Sequence, residues 1–537
     1  MPAIGTQVFS GLKPKLANHL LDDANATTAQ NCYLVDGYLR PLKGLAQERT
    51  WTGSPLTIYK YENTSSWLQW NTRVHVAKSV NPNLNRLYYS GAGEPRVGDP
   101  TSNMVSGAGP YPNVTYKLGL PKPLNALTVA VTVDQPDPET DYTSLDLETR
   151  YYVVTYVAKW APEEIESAAS PVSLAVSCYP DSHCTVTLPS APVSNGYYPP
   201  THTRIYRSNT GTQSTNYQFV AEVAIGTATF LDTLDSASLS EVAETLLWEI
   251  PPVALTSLTT VGGEFYAGLN GSDVCFSEVR VAYAWPLSYR FPVDDKPVGI
   301  AANGNDLVVL TVGRPVVFVG NTPEAMQQIR LSEFQPCMSE PSIVVFGGMV
   351  CYAGADGLIG VSSSQGFVNL TEKILTRDVW QAMSPATMKI VVWERYLYIT
   401  SSVGNWLLDL AEESFWPITV RYDAAYYDGY SDTLFVSEGS TLYRFGEGSN
   451  LTYTWQSKLY PAPQISLAVA KVINSSSYPN TIFEYLVDGT MIYRRKLTSS
   501  QPFRLPARRA SNVMYRLTGT DVIRTVSLAN LPQELMS

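Results

Sequence analysis

Charge is scarce in this chain: Asp, Glu, Lys and Arg make up 16% of 537 residues, against 45% hydrophobic residues. Cations are the scarcer sign, with 37 Lys and Arg against 48 Asp and Glu and a formal net charge of −11. That balance argues against an electrostatic grip on nucleic acid, which needs clustered cations to displace counterions. It still permits a wall along which DNA slides without sticking. Six cysteines, at positions 32, 178, 184, 275, 337 and 351, do not make a disulfide framework, so folding in a reducing cytoplasm is expected. No run of about 18 apolar residues is present to span a membrane. The opening "MPAIGTQVFSGLKPK" lacks a charged segment followed by an apolar one, so no signal peptide is expected. Seven N-x-S/T sequons are read as chance matches in a chain this rich in Ser and Thr.

Tyrosine is abundant, with 34 residues beside 11 Trp, 37 Pro and 35 Gly. Aromatic residues favour strands, and Pro and Gly punctuate turns, so the chain reads as mostly β. Its length exceeds what one hydrophobic core serves, so several domains are expected.

A unit of three strands joined by two short turns recurs, starting at Thr256, Val298, Ile343, Met388 and Ala424, at spacings of 42, 45, 45 and 36 residues. Each copy follows the plan of a β-propeller blade. The third copy contains "CYAGADGLIGVSS" (351–363), whose glycines invite comparison with a phosphate-binding loop. Such a loop needs a helix opening directly after it. Here "LIGVSSSQGF" follows and reads as strand, so Gly347-Gly348 and Ala355-Asp356-Gly357 are taken as hairpin turns, with Gly supplying positive φ. Residues 56–92 have the same texture.

These patterns predict a β-propeller with an inserted β-sandwich and a small C-terminal β-domain. The divisions are an N-terminal arm with a short helix (1–50), the first part of the propeller (51–120), the insertion (121–247), the main propeller (248–460) and the C-terminal domain (461–537). In "RYYVVTYV" and "RIYRS…YQFVAEV" the insertion resembles a fibronectin type III domain. Three short helices are expected: "DDANATTAQNCYL" capped by Asp23, "NTPEAMQQIRL" capped by Thr322, and "NLTEKILTRDVWQAM" capped by Thr371 and burying Ile374, Leu375, Val379 and Trp380.

Little points to catalysis. Cys178, His183 and Cys184 form the only Cys/His cluster, with His202 the nearest further ligand, short of a tetrahedral zinc set. His183 beside Cys184 on a strand points to the opposite face, so it does not serve as base for that thiol. No G-x-S-x-G elbow occurs. Glu412-Glu413 and Asp294-Asp295 are visible carboxylate pairs, read as exposed turn residues rather than a glycosidase pair. The acidic loop "DQPDPETDYTSLDLE" from Asp134 lacks the EF-hand order and is read as a solvated linker. No catalytic residue, metal or cofactor is therefore assigned. One charge asymmetry stands out: Asp488 to Arg524 holds eight cations against Asp488 and Asp521. Within it Arg494, Arg495, Lys496, Arg504, Arg508 and Arg509 are candidates for an interface with an acidic neighbour, including another copy of the chain.

The segment "FSGLKPKLANHLLDDANATTAQNCYLVDGYLRPLKGL" resembles the opening of bacteriophage tail proteins, through Pro14, Ala26, Ala29, Asn31, Gly37, Leu39, Arg40 and Pro41. The ending "PFRLPARRASNVMYRLTGTDVIRTVSLA" and the central "FSEVRVAYAWP" and "YAGADGLIGVS" resemble the same group. The nearest family is the tail nozzle (tail tubular protein B-like) of short-tailed phages. The resemblance implies a non-enzymatic virion protein made in the host bacterial cytoplasm. It implies a hexameric ring below the portal and adaptor that holds tail fibres or spikes and passes genomic DNA without specific binding. A peripheral tail or baseplate protein binding host glycan, and a polysaccharide depolymerase, are the alternatives.

Overall fold

The runs "MVCYA" and "YLYIT" are apolar at nearly every position rather than alternating, the mark of strands covered on both faces. Both are strands buried along their whole length, Met349–Ala353 and Tyr396–Thr400. The computed structural model describes residues 4–62, 64–134, 139–144, 146–210, 215–364, 366–465, 467–475, 480–506 and 508–535. It is mostly β, built from many small antiparallel sheets. Among the described residues no helix is long and apolar enough to cross a membrane.

The chain divides into two compact units. The first comprises residues 1–72, 308–317 and 329–537. It holds the third repeat as a four-stranded meander, Val344–Phe346, Met349–Ala353, Leu358–Ser362 and Gly366–Asn369. The fourth repeat is a second meander, from Lys389–Trp393 to Ser414–Pro417. In the fifth, Ala424–Asp428, Thr433–Glu438 and Thr441–Asn450 supply three strands, and the fourth is Lys43–Thr50. Each of these repeats thus carries one strand more than its sequence pattern suggests. The outer strands Gly366–Asn369 and Lys43–Thr50 are half-exposed to exposed, which weakens their apolar signal.

This unit also holds a six-stranded sheet that includes Ala26–Gln30, Tyr453–Ser457, Ala510–Gly519, Ile482–Val487 and Thr490–Lys496, and a four-stranded sheet. The expected hairpin "TIFEYLVDGTMIYRRKL" is present, turning at Asp488 and Gly489. Trp416, Trp455, Phe483, Tyr515 and Leu517 lie in one buried core.

The second unit comprises residues 73–307 and 318–328. It contains the first repeat, Thr256–Val261 to Arg290–Pro292, and the sheet His75–Lys78, Leu87–Ser90, Arg96–Gly98 and Tyr116–Lys117. The stretch 56–92, one texture in sequence, is divided between this sheet and a separate hairpin, Thr57–Lys60 with Trp67–Trp70. In the insertion a three-stranded sheet (Thr128–Val133, His183–Thr187, Thr229–Asp232) shares a core with a four-stranded one (Glu163–Glu166, Tyr152–Trp160, His202–Thr210, Thr215–Ala224). Tyr152, Val154, Cys184, Val186 and Ile205 meet there.

Of the three expected helices two do not form as such, and the third is present but shorter and capped by a different residue. The first expected helix is instead the strands Ala26–Gln30 and Cys32–Tyr33. Ala26 and Ala29 do pack inward, but a register shift between Ala26 and Thr28, not a helical turn, brings both to the buried side. The second shrinks to one 3₁₀ turn, Pro323–Ala325, without a side-chain cap, before the strand Gln327–Arg330. The third, Arg377–Ala382, is capped by Thr376, whose side chain accepts from Val379 N. Thr371 braces a turn instead, its Oγ1 accepting from Leu358 N at 3.0 Å. Ile374, Leu375 and Trp380 are buried as expected, with Val379 packed against them.

The two turns of the third repeat also differ. Gly347 and Gly348 have φ of +58° and +75°, as a tight hairpin requires. Gly357 is not among the positive-φ residues; crowding excludes a side chain there. A Cβ at this position would overlap Asn369 Oδ1 and stand 2.5 Å from Thr371 Oγ1. Gly354 N donates to Gly357 O at 2.9 Å, closing the turn on itself. Gly357→Ala is expected to destabilise the first unit by about 1–3 kcal/mol through overpacking. Gly347→Asn, into open space with a residue that tolerates positive φ, should be nearly neutral. Denaturant midpoints of the two variants check the pair.

Candidate functional site

Strand alternation decides which of the six candidate cations can act together. Arg494 and Lys496 lie two apart on the strand Thr490–Lys496 and share a face. Arg494 is paired with Glu484, and Glu484 with Arg516 on the next strand. The Glu484 carboxylate is ion-paired with both guanidiniums, each at 3.3 Å. Arg495 points to the other face, its guanidinium 4.8 Å from the centre of the Phe503 ring. Arg504 belongs to the four-stranded sheet and is exposed. Arg508 and Arg509 are exposed ahead of the strand Ala510–Gly519, where Asp488 accepts from Ser511 and Asn512 N–H. Seven residues of strand separate Arg509 from Arg516, about 23 Å. The six are thus not one patch: Arg494 and Lys496 join Arg516 on one sheet face, and the others stand apart.

A second surface lies on the insertion, where sequence reading placed nothing. On the outer face of its four-stranded sheet, Arg204 is held by Glu166 and Glu222, each at 2.8 Å, and by Glu164. Tyr206 donates to Glu166 at 2.7 Å. Burial works against the Glu222 carboxylate, but hydrogen bonds from Lys159 and Arg204 outweigh it and hold its pKa below the ordinary value. Residues 240–243 run antiparallel along the free edge of the sheet's strand Thr215–Ala224, tied by Phe219 N to Glu241 O and Ala243 N to Tyr217 O, both 2.8 Å. The sheet face and residues 240–248 together line a cavity of about 950 Å³, with Arg204, Phe219, Glu222, Glu244, Thr245 and Trp248 among its walls. Glu241 and Glu244 are exposed and form no ion pair among the described residues. Thr245 is 2% exposed, and its Oγ1 has no hydrogen-bond partner. The cleft escaped sequence reading because register, not spacing, brings its walls together. The one local signal was "SEVAETLLW" (240–248), which mixes acids with apolar residues.

Net charge follows the same division. By sequence, the unit containing the insertion holds 25 Asp and Glu against 13 Lys and Arg. The other unit holds 23 against 24, so essentially all of the −11 sits in one unit.

The remaining candidates have structural partners. Cys178 and Cys184 are buried in the insertion core. A hydrogen bond from Cys178 draws the Cys184 thiol below its usual range, and Arg150 stands 3.8 Å away. Arg150 is otherwise spent on the Glu148 carboxylate at 2.6 Å and on loop carbonyls, including Ser182 O at 2.9 Å. Among the described residues no three His, Cys, Asp or Glu side chains are grouped to hold a metal ion. The acidic loop's residues 135–138 and 145 lie outside those described. Glu413 is paired with Lys13 at 2.7 Å and Lys373 at 3.1 Å, which lower its pKa. Glu412 and Asp294 are exposed, and Asp295 is half-exposed.

One carboxyl is strongly perturbed. Burial pushes the Glu163 pKa up to about 7, against the opposing pull of Arg86. Arg86, 2% exposed, donates to the carbonyls of Trp160 and Ala161 at 3.1 Å and lies 3.8 Å over the Trp160 ring. Trp160 stacks in turn on Tyr198, 4.5 Å between centres.

No protein-family model matches the chain, and no curated protein matches it. Among solved structures, the extracellular domain of a one component system from B. thetaiotaomicron is 10% identical, with 94% of this chain and 99% of that one covered, at a TM-score of 0.19. An exo-beta-1,3-galactanase from Phanerochaete chrysosporium is 9% identical over 65% and 78%, at 0.15. A glycoside hydrolase family 43 arabinoxylan arabinofuranohydrolase from Bacillus subtilis is 8% identical over 65% and 93%, at 0.17. Likeness at this level carries no argument about fold or activity.

Proposed function

We propose that the chain is a structural protein of a short-tailed phage tail, a nozzle-type subunit that forms a ring, six-fold by the family resemblance, and extends the DNA exit channel. In this reading the meanders are blades of a β-propeller, the insertion is a fibronectin III-like sandwich, and the terminal sheets are a separate small domain. The portal or adaptor and the tail fibres or spikes are its neighbours, the virion is its site of action, and no catalysis is required. The observation that carries the reading is that the two ends bearing the resemblance fold together. Leu39 and Ile523 exchange backbone hydrogen bonds at 3.0 and 2.9 Å. Ala29 is paired with Trp455, and Asn31 Oδ1 accepts from Thr419 N at 2.9 Å. The N-terminal motif thus does physical work, tying the first forty residues to the terminal sheets. The acid-rich unit also suits a passage for DNA, since it repels phosphates rather than holding them.

A second reading, glycan binding at the particle's periphery, draws on the insertion cleft, which Trp248 and Phe219 line beside carboxylates. Averaged electron-microscope images of the native particle separate the two. A six-fold ring around an axial channel is the expected result. Single copies or trimers at the periphery would overturn it in favour of the glycan reading.

A further inference from the structure

We propose that the acidic cleft of the insertion receives the Arg494–Lys496–Arg516 sheet face of a neighbouring copy, with Glu241 and Glu244 opposite Arg494 and Lys496. The inference rests on the ring reading and names the contact that would build the ring.

Three observations converge on this pairing. The first is charge: Glu241, Glu244 and Lys496 form no ion pair among the described residues, and Arg494 shares its single carboxylate with Arg516. Free charges of opposite sign on separate surfaces steer association and select the partner. The second is surface composition. Beside the two acids Val242, Leu246 and Leu247 are exposed, Leu247 to 77%. On the basic hairpin Met491 is 48% exposed, and its pairing with Leu486 puts it on the face of Arg494. Apolar side chains bordered by charges are the make-up of a protein interface. The third is the cavity itself. Trp248 and Phe219 line it, aromatic residues of the kind on which a guanidinium stacks, and the Thr245 hydroxyl is buried there unpaired.

The two surfaces are different, so each copy presents one and receives on the other. Such head-to-tail contacts either close into rings or run on as filaments. Opposing charge fields also hold the register of the contact, because a shift would set acid against acid.

Charge exchange in the full-length protein, read by sedimentation, tests the contact. Glu241→Lys with Glu244→Lys, and separately Arg494→Glu with Lys496→Glu, should each raise the concentration of half-assembly by about tenfold or more. All four changes in one chain should restore it to within about threefold of wild type. All four residues are exposed, so unchanged circular dichroism and melting are expected and keep loss of fold apart from loss of contact. Single-surface variants that assemble like wild type, or a four-fold variant no better than either, would overturn the contact and leave the ring standing. A wild-type chain that never assembles would overturn the ring itself. Loss of polysaccharide binding in the cleft variant, with assembly intact, would assign the cleft to a glycan instead.

Discussion

Replacing Asp232 with alanine is expected to cost the second unit about 3–5 kcal/mol, more than any other single substitution proposed for this chain. Asp232 and Arg207 are both fully buried, their charged atoms 2.7 Å apart. Asp232 also accepts from the Tyr152 hydroxyl at 2.8 Å and from Leu234 N at 3.0 Å. Its removal strands a guanidinium in the insertion core with only the Leu234 carbonyl, at 2.8 Å, and the weaker Ser236 hydroxyl contact as partners. The cost is therefore mainly that of an uncompensated buried charge, not of the lost attraction. The double change Arg207→Met with Asp232→Leu should recover most of the loss, because apolar replacement removes both desolvation penalties. Denaturant unfolding of the full chain, followed by a probe in the insertion, reads both values. A single variant within about 0.5 kcal/mol of wild type would refute the account.

Glu163→Gln should do the opposite and stabilise the protein, increasingly as pH rises above about 4.5 and in full above about 7. The Glu163 pKa is raised from 4.5 to about 7, chiefly by burial. Between those values the folded chain keeps a proton that the unfolded chain has released. The contribution of Glu163 to stability is thus fully present below pH 4.5 and is lost as pH rises through about 7. Glutamine, neutral at every pH, avoids the loss. At pH 8 the variant should be more stable by up to about 3 kcal/mol, with the difference vanishing near pH 4. A constant difference across that range would mean that Glu163 does not titrate as its burial demands.

These two sites, like the proposed contact, depend on partners that the linear sequence does not reveal. The inner strands of each repeat were legible because burial on both faces makes their apolar runs nearly continuous. Their outer strands were not, and Lys43–Thr50 could not be assigned to its sheet because its partner is far along the chain. Thr371 and Asp23 were reasonable caps by residue type. The Thr371 hydroxyl instead serves a turn of its own repeat, and the segment after Asp23 was drawn into a sheet by pairing with Tyr453–Ser457. The basic run near the C-terminus was visible as composition, but alternation splits Arg495 from Arg494 and Lys496. The cleft was invisible because Arg204, Glu222 and Trp248 meet only after the strands have paired.

Pairing of Lys43–Thr50 with Thr441–Asn450 also sets a clock on folding. A ribosome adding about 5–20 residues each second needs roughly 20–80 s to traverse the nearly 400 intervening positions. Through that interval the early strand has no edge to join, and the sheet it completes does not yet exist. The last meander can therefore close only after most of the chain has been made, so a truncated product leaves the ribosome with this strand unpaired and open to association with the wrong chain. That sheet is complete only in chains whose synthesis has run past residue 450.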